Sequence, residues 1–217
     1  MKAFKGFNKD MTCRGFQFKE GETYHEDKAK LCDSGFHACE DPLDCIGYYA
    51  PAGSIYREVE LDDVTDEYEE DSKRVGKTIK IGAEIGLPGI IKAHFEHVKS
   101  RCTNEKEGGD RSALTGGDRS ALTGGDSSAL TGGDRSALTG GYRSALTGGI
   151  SSVLRGGVNS RFKGDIYSFF ICDEWKYDVK LKRDFYVPIA HAFVDGEKIK
   201  PDTWYTVKDG EYVEVPE

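Results

Sequence analysis

The most regular pattern in the chain is an eight-residue repeat that begins at Gly108. Its seven units are GGDRSALT, GGDRSALT, GGDSSALT, GGDRSALT, GGYRSALT, GGISSVLR and GGVNSRFK, and the last ends at Lys163. The fifth position is always Ser, and the seventh is Leu in six units and Phe162 in the last. The sixth and eighth positions change to Val, Arg or Lys. Because side chains alternate between the two faces of a strand, the fifth and seventh positions are predicted to face a core.

This repeat predicts a stacked β architecture. A Gly-Gly pair in every unit would break a helix, so Ser-Ala-Leu-Thr is interpreted as a short strand and Gly-Gly-Asp-Arg as the turn. One octad is too short to close a coil, whereas two octads give a flattened roll of about three and a half coils, stacked at about 4.8 Å. Ordering so many glycine-rich residues is costly, so the roll is expected to need a cap at each end.

The flanking segments have the patterns expected of such caps. Residues 87–102 predict a helix with Pro88 in its first turn, a buried stripe of Ile91, Phe95, Val98 and Cys102, and His94 and His97 beside that stripe. Asp41-Pro42 predicts the start of a second, short helix. Strands are predicted at 2–7, 13–18, 55–61 and 78–85, and after the repeat at 165–174 and 185–194. Asp195-Gly196 and Asp209-Gly210 indicate tight hairpins.

The fold class predicted from these patterns is mainly β (α+β). A short β-solenoid of octapeptide repeats lies between a β-rich N-terminal domain with one or two helices and a small C-terminal antiparallel sheet. The predicted domains are a β-rich N-terminal domain (1–85), a capping helix (86–105), the octapeptide solenoid (106–163) and a C-terminal β cap (164–217).

Composition narrows the class of protein. The chain has 217 residues, of which 11% are aromatic and 31% charged, values that exclude a disordered chain. Fourteen of its 27 glycines fall within the 56 repeat residues, so the remainder has ordinary globular composition. No apolar run is long enough for a membrane span and no signal peptide is recognised, so we expect no membrane partner and a cytoplasmic location.

Charge is distributed unevenly along the chain. The net charge is −8, and nine acidic residues with no basic one lie between Glu58 and Asp71, among them Glu67, Glu69 and Glu70. This acidic run is interpreted as a solvated loop or, alternatively, as a surface that imitates nucleic-acid phosphate. The repeat segment carries seven basic and four acidic residues, or +3. Direct DNA binding is not expected for a chain with this overall charge.

Stacking of the coils predicts two columns of turn residues. Arg111, Ser127 and Arg143 would lie on one edge, and Arg119 and Arg135 on the other beside Asp118 and Asp134. An Asp-Arg lattice is one interpretation. An anion site built from the arginines and the Gly-Gly amides is the other. The Gly-Gly opening also occurs in calcium-binding β-rolls, but these octads lack the third glycine and displace the aspartate.

The search for catalytic and metal sites identifies weak candidates. Six cysteines without a secretion signal are expected to be free thiols. Cys32, His37, Cys39 and Cys45 could ligate zinc, but their spacing differs from the usual zinc knuckle. Cys39 with His37 could also form a nucleophile and base. No standard catalytic motif is found, so we expect a protein that is not an enzyme and has no cofactor.

Two segments carry a family resemblance. Cys13-Arg-Gly-Phe-Gln-Phe and Gly35-Phe-His-Ala-Cys resemble an uncharacterised N-terminal domain of phage and Firmicute proteins, in which Gly-Asp-Arg-Ser-Ala-type repeats and a short C-terminal segment follow. The resemblance covers nearly the whole chain and implies this architecture and a mobile-element origin. It carries no assigned activity and no catalytic residue.

The expected function is therefore binding without catalysis. The main hypothesis is a phage-encoded inhibitor that occludes a host protein or protein complex, such as a defence complex, with Glu67, Glu69 and Glu70 at the contact. The alternative is a binder or sponge for a nucleotide or another small anion, through Arg111, Arg119, Arg135 and Arg143. Open roll edges and outward Ala and Thr faces could also support a homo-oligomer.

Overall fold

The fold is mainly β, and its described residues form two α-helices and a β-solenoid of about four turns, the architecture that the repeat predicts. The computed structural model describes residues 1–67, 71–179 and 182–216. The chain divides into two compact units, Met1–His97 and Val98–Glu217. In the described part of the chain, neither helix is long and apolar enough to cross a membrane.

The first unit is a small β-barrel-like sheet. Its elements are β1 (Lys2–Asn8), β2 (Thr12–Cys13), β3 (Phe16–Gln17), β4 (Thr23–His25), β5 (Phe36–Cys39), α1 (Asp44–Tyr48), β6 (Ser54–Val64) and β7 (Lys73–Glu84). Strand β7 pairs with β4, β5 and β6, while β1 lies between β5 and β6. The ladder β7–β5–β1–β6 therefore closes on itself, and β2 and β3 form a separate hairpin.

Two apolar clusters fill this unit because the side chains of β1 alternate between the two faces of the sheet. Ala3 and Phe7 belong to the larger cluster, with residues of β5, β6 and β7, whereas Phe4 packs with Cys39, Cys45, Tyr56 and Ile90. Ile90 lies on α2 (Gly86–Ser100), the long helix predicted at 87–102. Its predicted stripe residues Ile91, Phe95 and Val98 are buried.

His94 differs from the sequence interpretation. The sequence analysis placed it beside the buried stripe of the helix, whereas His94 is itself buried and its Nδ1 lies 2.6 Å from Asp41 Oδ1. Burial alone would raise the pKa of Asp41, but the hydrogen bond and charge of His94 outweigh burial and hold that pKa below its ordinary value. Asp41 also accepts the Leu43 amide at 3.0 Å. Helix α1 begins at Asp44, after the start predicted at Asp41-Pro42.

The solenoid strands form two parallel stacks, as the pairing of octads predicts. One stack contains β9 (Ala113–Thr115), β11 (Ala129–Thr131), β13 (Ala145–Gly148) and β15 (Arg161–Gly164). The other contains β8 (Asn104–Glu107), β10 (Ser120–Thr123), β12 (Ala137–Thr139), β14 (Val153–Gly157) and β16 (Phe169–Asp178). Leu114 pairs in register with Leu130, and Leu122 with Leu138, so each coil contains sixteen residues.

The solenoid interior confirms the predicted inward positions. Leu122, Leu130, Leu138 and Leu146 are at most 1% exposed, and the repeat serines from Ser120 onward are equally buried. The sequence interpretation ended the repeat too early, however. Gly164, Ser168 and Phe170 occupy the first, fifth and seventh positions of an eighth octad, whose strand continues the stack through β16.

The buried serines form a hydrogen-bonded ladder. Ser144 Oγ accepts the amide of Ser128 at 3.3 Å and donates to the carbonyl oxygen of Gly125 at 3.3 Å. The same two bonds recur along the solenoid and satisfy the buried hydroxyl group of each fifth position from Ser128 onward. Ser120 Oγ is buried without a partner among the described residues, because no octad precedes it on that side to supply the glycine carbonyl.

The two outer faces of the solenoid differ, which corrects the expectation that Ala and Thr face water throughout. Ala113 and Ala129 are exposed, whereas Ala121 and Ala137 are buried, as is Val153 in the next coil. Alanines at the same position of the octad therefore differ in burial between the two stacks.

Cys102, predicted to belong to the buried stripe of the long helix, lies after the end of α2. Its Sγ lies 4.0 Å from the carbonyl oxygen of Arg135.

The strands after the repeat extend both stacks. Strand β17 (Arg183–Phe193) pairs with β16, and the hairpin of β18 (Tyr205–Lys208) and β19 (Glu211–Glu214) joins β15. Asp209-Gly210 forms the predicted hairpin turn, with φ of 51° and 83°. The hairpin prediction at Asp195-Gly196 is wrong, because the Asp195 carboxylate instead accepts three successive backbone amides of a longer turn.

Candidate functional site

The four candidate arginines occupy the same backbone position in the solenoid turns. Arg111, Arg119, Arg135 and Arg143 have φ between 53° and 59°, the left-handed region, and all four are exposed. The fourth position of every later octad has the same conformation. The sequence analysis interpreted Gly-Gly-Asp-Arg as the turn but did not identify this conformation, because Arg has no local preference for positive φ.

The glycines serve close packing instead. A Cβ on the first glycine of a unit would contact the inward serine; for Gly140 the nearest atom is Ser144 Cβ, at 2.6 Å. From the second coil onward, a Cβ on the second glycine would contact the preceding coil; for Gly141 it would overlap Asp126 Oδ1. The pair therefore excludes side chains at two points where neighbouring segments nearly touch.

The aspartates bond to backbone rather than to arginine, so the Asp-Arg lattice is wrong. Asp118 Oδ1 accepts the amide of Asp134 at 3.0 Å, and Asp126 Oδ1 accepts the amide of Tyr142 at 2.8 Å. Within the described ranges, no ion pair joins a repeat aspartate to a repeat arginine. Each carboxylate thus fixes the turn of the next coil.

The glycine amides are also committed within the solenoid. The amide of Gly125 donates to the carbonyl oxygen of Gly109 at 3.0 Å, and that of Gly141 to Gly125 at 3.0 Å. The first glycines donate to Thr or Arg carbonyls of the next coil in the same way. The amide component of the predicted anion site is therefore wrong for these coils, and only the guanidinium groups remain for an anion.

The structure brings the arginines together as columns. The Arg119 amide donates to Asp134 O at 2.8 Å, which places Arg119 one coil away from Arg135. Arg111 and Arg143 lie two coils apart with Ser127 between them, as predicted. The Arg143 guanidinium lies 4.9 Å from the centre of the Tyr142 ring, a cation–π contact.

The acidic run is mostly not a free loop. Glu58 pairs with Lys2 at 2.9 Å and Glu60 with Lys80 at 3.6 Å, both from strand β6. Glu67 Oε2 accepts the amide of Leu31 at 2.6 Å, so this carboxylate joins two segments of the first unit. The other two candidate acids, Glu69 and Glu70, lie outside the described residues.

A row of exposed apolar side chains lies on the last part of β16 and just after it, and we call it the aromatic row: Trp175, Tyr177 and Val179. Their exposed fractions are 57%, 60% and 77%. Strand β14 pairs with β16 only as far as Asp173, so from Glu174 onward β17 is the neighbour in the described ladders. The sequence analysis missed the row because the strand it predicted there ended at residue 174, before Trp175.

The remaining candidates lie in the first unit. His37 Nε2 accepts the amide of Cys32 at 2.9 Å, and burial, followed by the charges of Lys5, Arg14 and Lys73, lowers the pKa of this imidazole. The pKa of Cys39 is raised by its hydrogen bond to Cys45 and by burial, which opposes formation of a thiolate nucleophile. All six cysteines are free thiols. No group of three or more metal-ligating side chains is arranged to hold a metal ion in the described ranges.

Comparison with known protein families finds a match for the N-terminal segment of the chain. Residues 1–93 match the family model described as Domain of unknown function (DUF7666). No curated protein and no solved structure matches the chain. The N-terminal segment, in which the sequence resemblance lay, is therefore an uncharacterised domain of unknown function.

Proposed function

We propose that this chain is a non-enzymatic binding protein that occludes a surface of another protein. The observation that carries the proposal is the aromatic row, three apolar side chains on the last part of β16 and just after it that are each more than half exposed. Large exposed aromatic residues are enriched at the centres of protein interfaces, where Trp and Tyr dominate the binding energy. They also supply a large contact area at low cost in side-chain entropy.

The strand that presents the row has a rigid base. Phe169 to Cys172 of β16 pair with β14, and the side chains of Phe170 and Cys172 lie in the solenoid core. Asp173 is 2% exposed and forms an ion pair with Arg155 where the paired segment ends. A fixed base limits the entropy lost when a partner binds, so contacts of the row contribute more fully to affinity.

The outer edge of the β16–β17 pair is unfavourable for the addition of a strand from a partner protein. Pro188 lies in β17 opposite Asp173, next to an irregularity in the register. Because proline has no amide hydrogen, it interrupts the edge where a further strand would pair. The proposed contact therefore uses the side chains of the aromatic row rather than extension of the sheet.

The proposed setting follows the sequence resemblance. A phage-encoded protein acting in the host cytoplasm would occlude a host protein or complex, for instance one of bacterial defence. In this proposal Glu67, with Glu69 and Glu70, forms a second, acidic contact. The hydrogen bond of Glu67 to Leu31 supports a fixed position for that carboxylate.

Capture from a bacterial lysate with a chemical cross-linker tests the proposal. The wild-type chain is compared with a Trp175→Ser, Tyr177→Ser double variant and with Tyr167→Ser. Tyr167 is 61% exposed in the same unit and so provides a matched control. We expect one partner to be retained by wild type and Tyr167→Ser and to fall at least tenfold with the double variant. Equal capture by the double variant, or no partner for wild type, contradicts the proposal.

The second candidate function is binding of a small anion by the arginine columns. Its supporting observation is that Arg119 and Arg135 lie one coil apart, exposed, without an ion pair to the repeat aspartates in the described part of the chain. Adjacent guanidinium groups favour a phosphate that bridges them. Calorimetry with pyrophosphate separates the two functions, because Arg119→Ala should abolish such binding and leave partner capture unchanged.

A further inference from the structure

The first unit contains a cavity that neither proposed function uses. Its volume is about 390 Å³, within the range of small-molecule sites. Strand β1, the β2–β3 hairpin, the segment 32–39 and helix α1 supply its walls, and all of them lie within residues 1–97. A cavity of this size, open to solvent, can hold a molecule comparable to a mononucleotide.

Three basic side chains line this cavity. Lys5 and Lys73 are each only 9% exposed, and Lys5 Nζ donates to the carbonyl oxygen of His37 at 2.7 Å. Lys73 Nζ donates to the Tyr48 hydroxyl at 3.1 Å. Arg14 lies at the tip of the β2–β3 hairpin, where Arg14 and Gly15 both have positive φ. Burial of the Lys5 ammonium group beside a neutral carbonyl oxygen is costly, and a bound anion would compensate that cost.

The acidic residues of the lining are engaged at its margin. Glu26 Oε2 accepts the amide of Gly35 at 2.9 Å, and Asp33 lies 3.9 Å from Lys30 across an exposed ion pair. The lining therefore contains three basic and two acidic side chains, and both acidic side chains have local partners. The chain as a whole has a net charge of −8. A cationic cavity in an acidic protein favours an anionic ligand.

His37 reports the field in the cavity. Its pKa is lowered first by burial and then by the charges of Lys5, Arg14 and Lys73, so the positive potentials of all three converge on one point. Because His37 Nε2 already accepts the Cys32 amide, the ring is held in place and is not available as a general base. Binding rather than catalysis is the chemistry that this lining favours.

Aromatic rings form another part of the wall. Phe16 is 49% exposed and Tyr48 is 50% exposed, and both line the cavity. Phe16 packs edge-to-face against Phe18, with ring centroids 4.7 Å apart, so its orientation is fixed. Tyr48 is fixed by the ammonium of Lys73, 5.0 Å from its ring centroid, and by a hydrogen bond to Asp71. Such rings offer flat surfaces to a planar group.

We propose that this cavity binds a small anion that carries an aromatic ring, of the size of a nucleoside monophosphate. The anionic group lies against Lys5, Lys73 and Arg14, and the ring lies against Phe16 and Tyr48. The residues of this site differ from those of the arginine columns and of the aromatic row. The proposal can therefore be tested independently of both functions proposed above.

Calorimetry on the full chain tests the proposal, with AMP, adenosine and inorganic phosphate as separate probes. We expect AMP to bind at one site and both fragments to bind at least tenfold more weakly. Arg14→Gln should weaken AMP about tenfold, as should Lys73→Met. Lys19→Gln removes the same charge from an exposed position outside the cavity and should leave binding unchanged.

Three results would overturn the proposal. The first is no binding of AMP, GMP, CMP, UMP or phenyl phosphate at millimolar concentration to a folded chain. The second is equal affinity for AMP and inorganic phosphate, which would remove the role of the rings. The third is loss of AMP binding with Arg119→Ala but not with Arg14→Gln, which would place the anion on the solenoid.

A second measurement keeps the test independent of folding effects in the variants. Burial is the main cause of the lowered pKa of His37, and the charges of the three cations are the second cause, so an anion bound among those cations acts against the second cause and is expected to raise this pKa. Titration of the His37 ring by NMR should therefore shift upward with saturating AMP in the wild-type chain. An unchanged titration at saturation would contradict the proposed position of the anionic group.

Discussion

The solenoid and the N-terminal unit are both built from strands, but they use their interiors differently. In the solenoid, one leucine and one serine per octad fill the core, and each serine hydroxyl from Ser128 onward is hydrogen-bonded to neighbouring backbone. In the N-terminal unit, the core is aromatic and irregular, with Phe7, Phe18 and Phe36 in edge-to-face contacts beside a cavity of about 390 Å³.

The difference shows where each architecture can place a binding site. A coil of sixteen residues repeats the same contacts, so no position inside it can change without loss of packing. Function in the solenoid must therefore lie on its turns, its faces or the strands appended to it. The N-terminal unit has no such constraint, and its β2–β3 hairpin and α1 enclose a space that can hold a ligand.

Shortening a core leucine should give the largest effect and tests how closely the solenoid is packed. Leu138→Ala should lower the free energy of unfolding by about 3–4 kcal/mol, because the side chain is fully buried and neighbouring coils cannot move into the space. Denaturation followed by tryptophan fluorescence measures it, since Trp175 and Trp204 both lie in the second unit. Leu114→Ala, in the partly buried first coil, should cost clearly less; equal losses would contradict a graded core.

A glycine substitution tests the contact between coils. Gly141→Ala should lower the free energy of unfolding by about 2–3 kcal/mol, because the new Cβ would displace Asp126 from the Tyr142 amide. Gly117→Ala is the matched control, since no atom lies within 4 Å of its Cβ position in the first coil. Equal stability of the two variants in urea denaturation would show that glycine is not required for close approach.

Acid should act on the N-terminal unit through Asp41. The folded pKa of Asp41 is lowered, so its stabilising contribution is present above the unfolded value near pH 3.9 and is lost as pH falls through the folded pKa. Asp41→Asn should lower stability at pH 7 by about 2 kcal/mol, the typical value of a charge-assisted hydrogen bond. Circular dichroism unfolding between pH 2.5 and 7 measures this, and a wild-type profile as flat as that of the variant would contradict it.

The smallest effect is expected for the serine ladder. Ser144→Ala removes two hydrogen bonds and should cost about 1–2 kcal/mol, because the Ser128 amide and the Gly125 carbonyl lose a buried partner. Ser120→Ala should cost less, since Ser120 Oγ has no partner among the described residues. A larger loss for Ser120→Ala in urea denaturation would show that the ladder does not stabilise the solenoid.

Much of the solenoid could be predicted from its own sequence. The alternation of Ser and Leu with variable positions identified the inward side chains, since strand geometry permits only that assignment. The eighth octad was missed because only Gly164, Ser168 and Phe170 preserve the pattern, while the positions around them have diverged. Less of the candidate sites could be predicted, because the aromatic row depends on where β14 stops pairing with β16.

The octapeptide period by itself determined the mainly β class, the sixteen-residue coil and the leucine core, because these follow from local geometry repeated many times. Only the tertiary structure decided which alanines are buried. It also decided that the repeat aspartates accept backbone amides and that Asp41 is hydrogen-bonded to His94. It also placed Lys5, Arg14 and Lys73 around one cavity, although they lie far apart in sequence. Such contacts depend on how distant segments pack, and no local pattern encodes that packing.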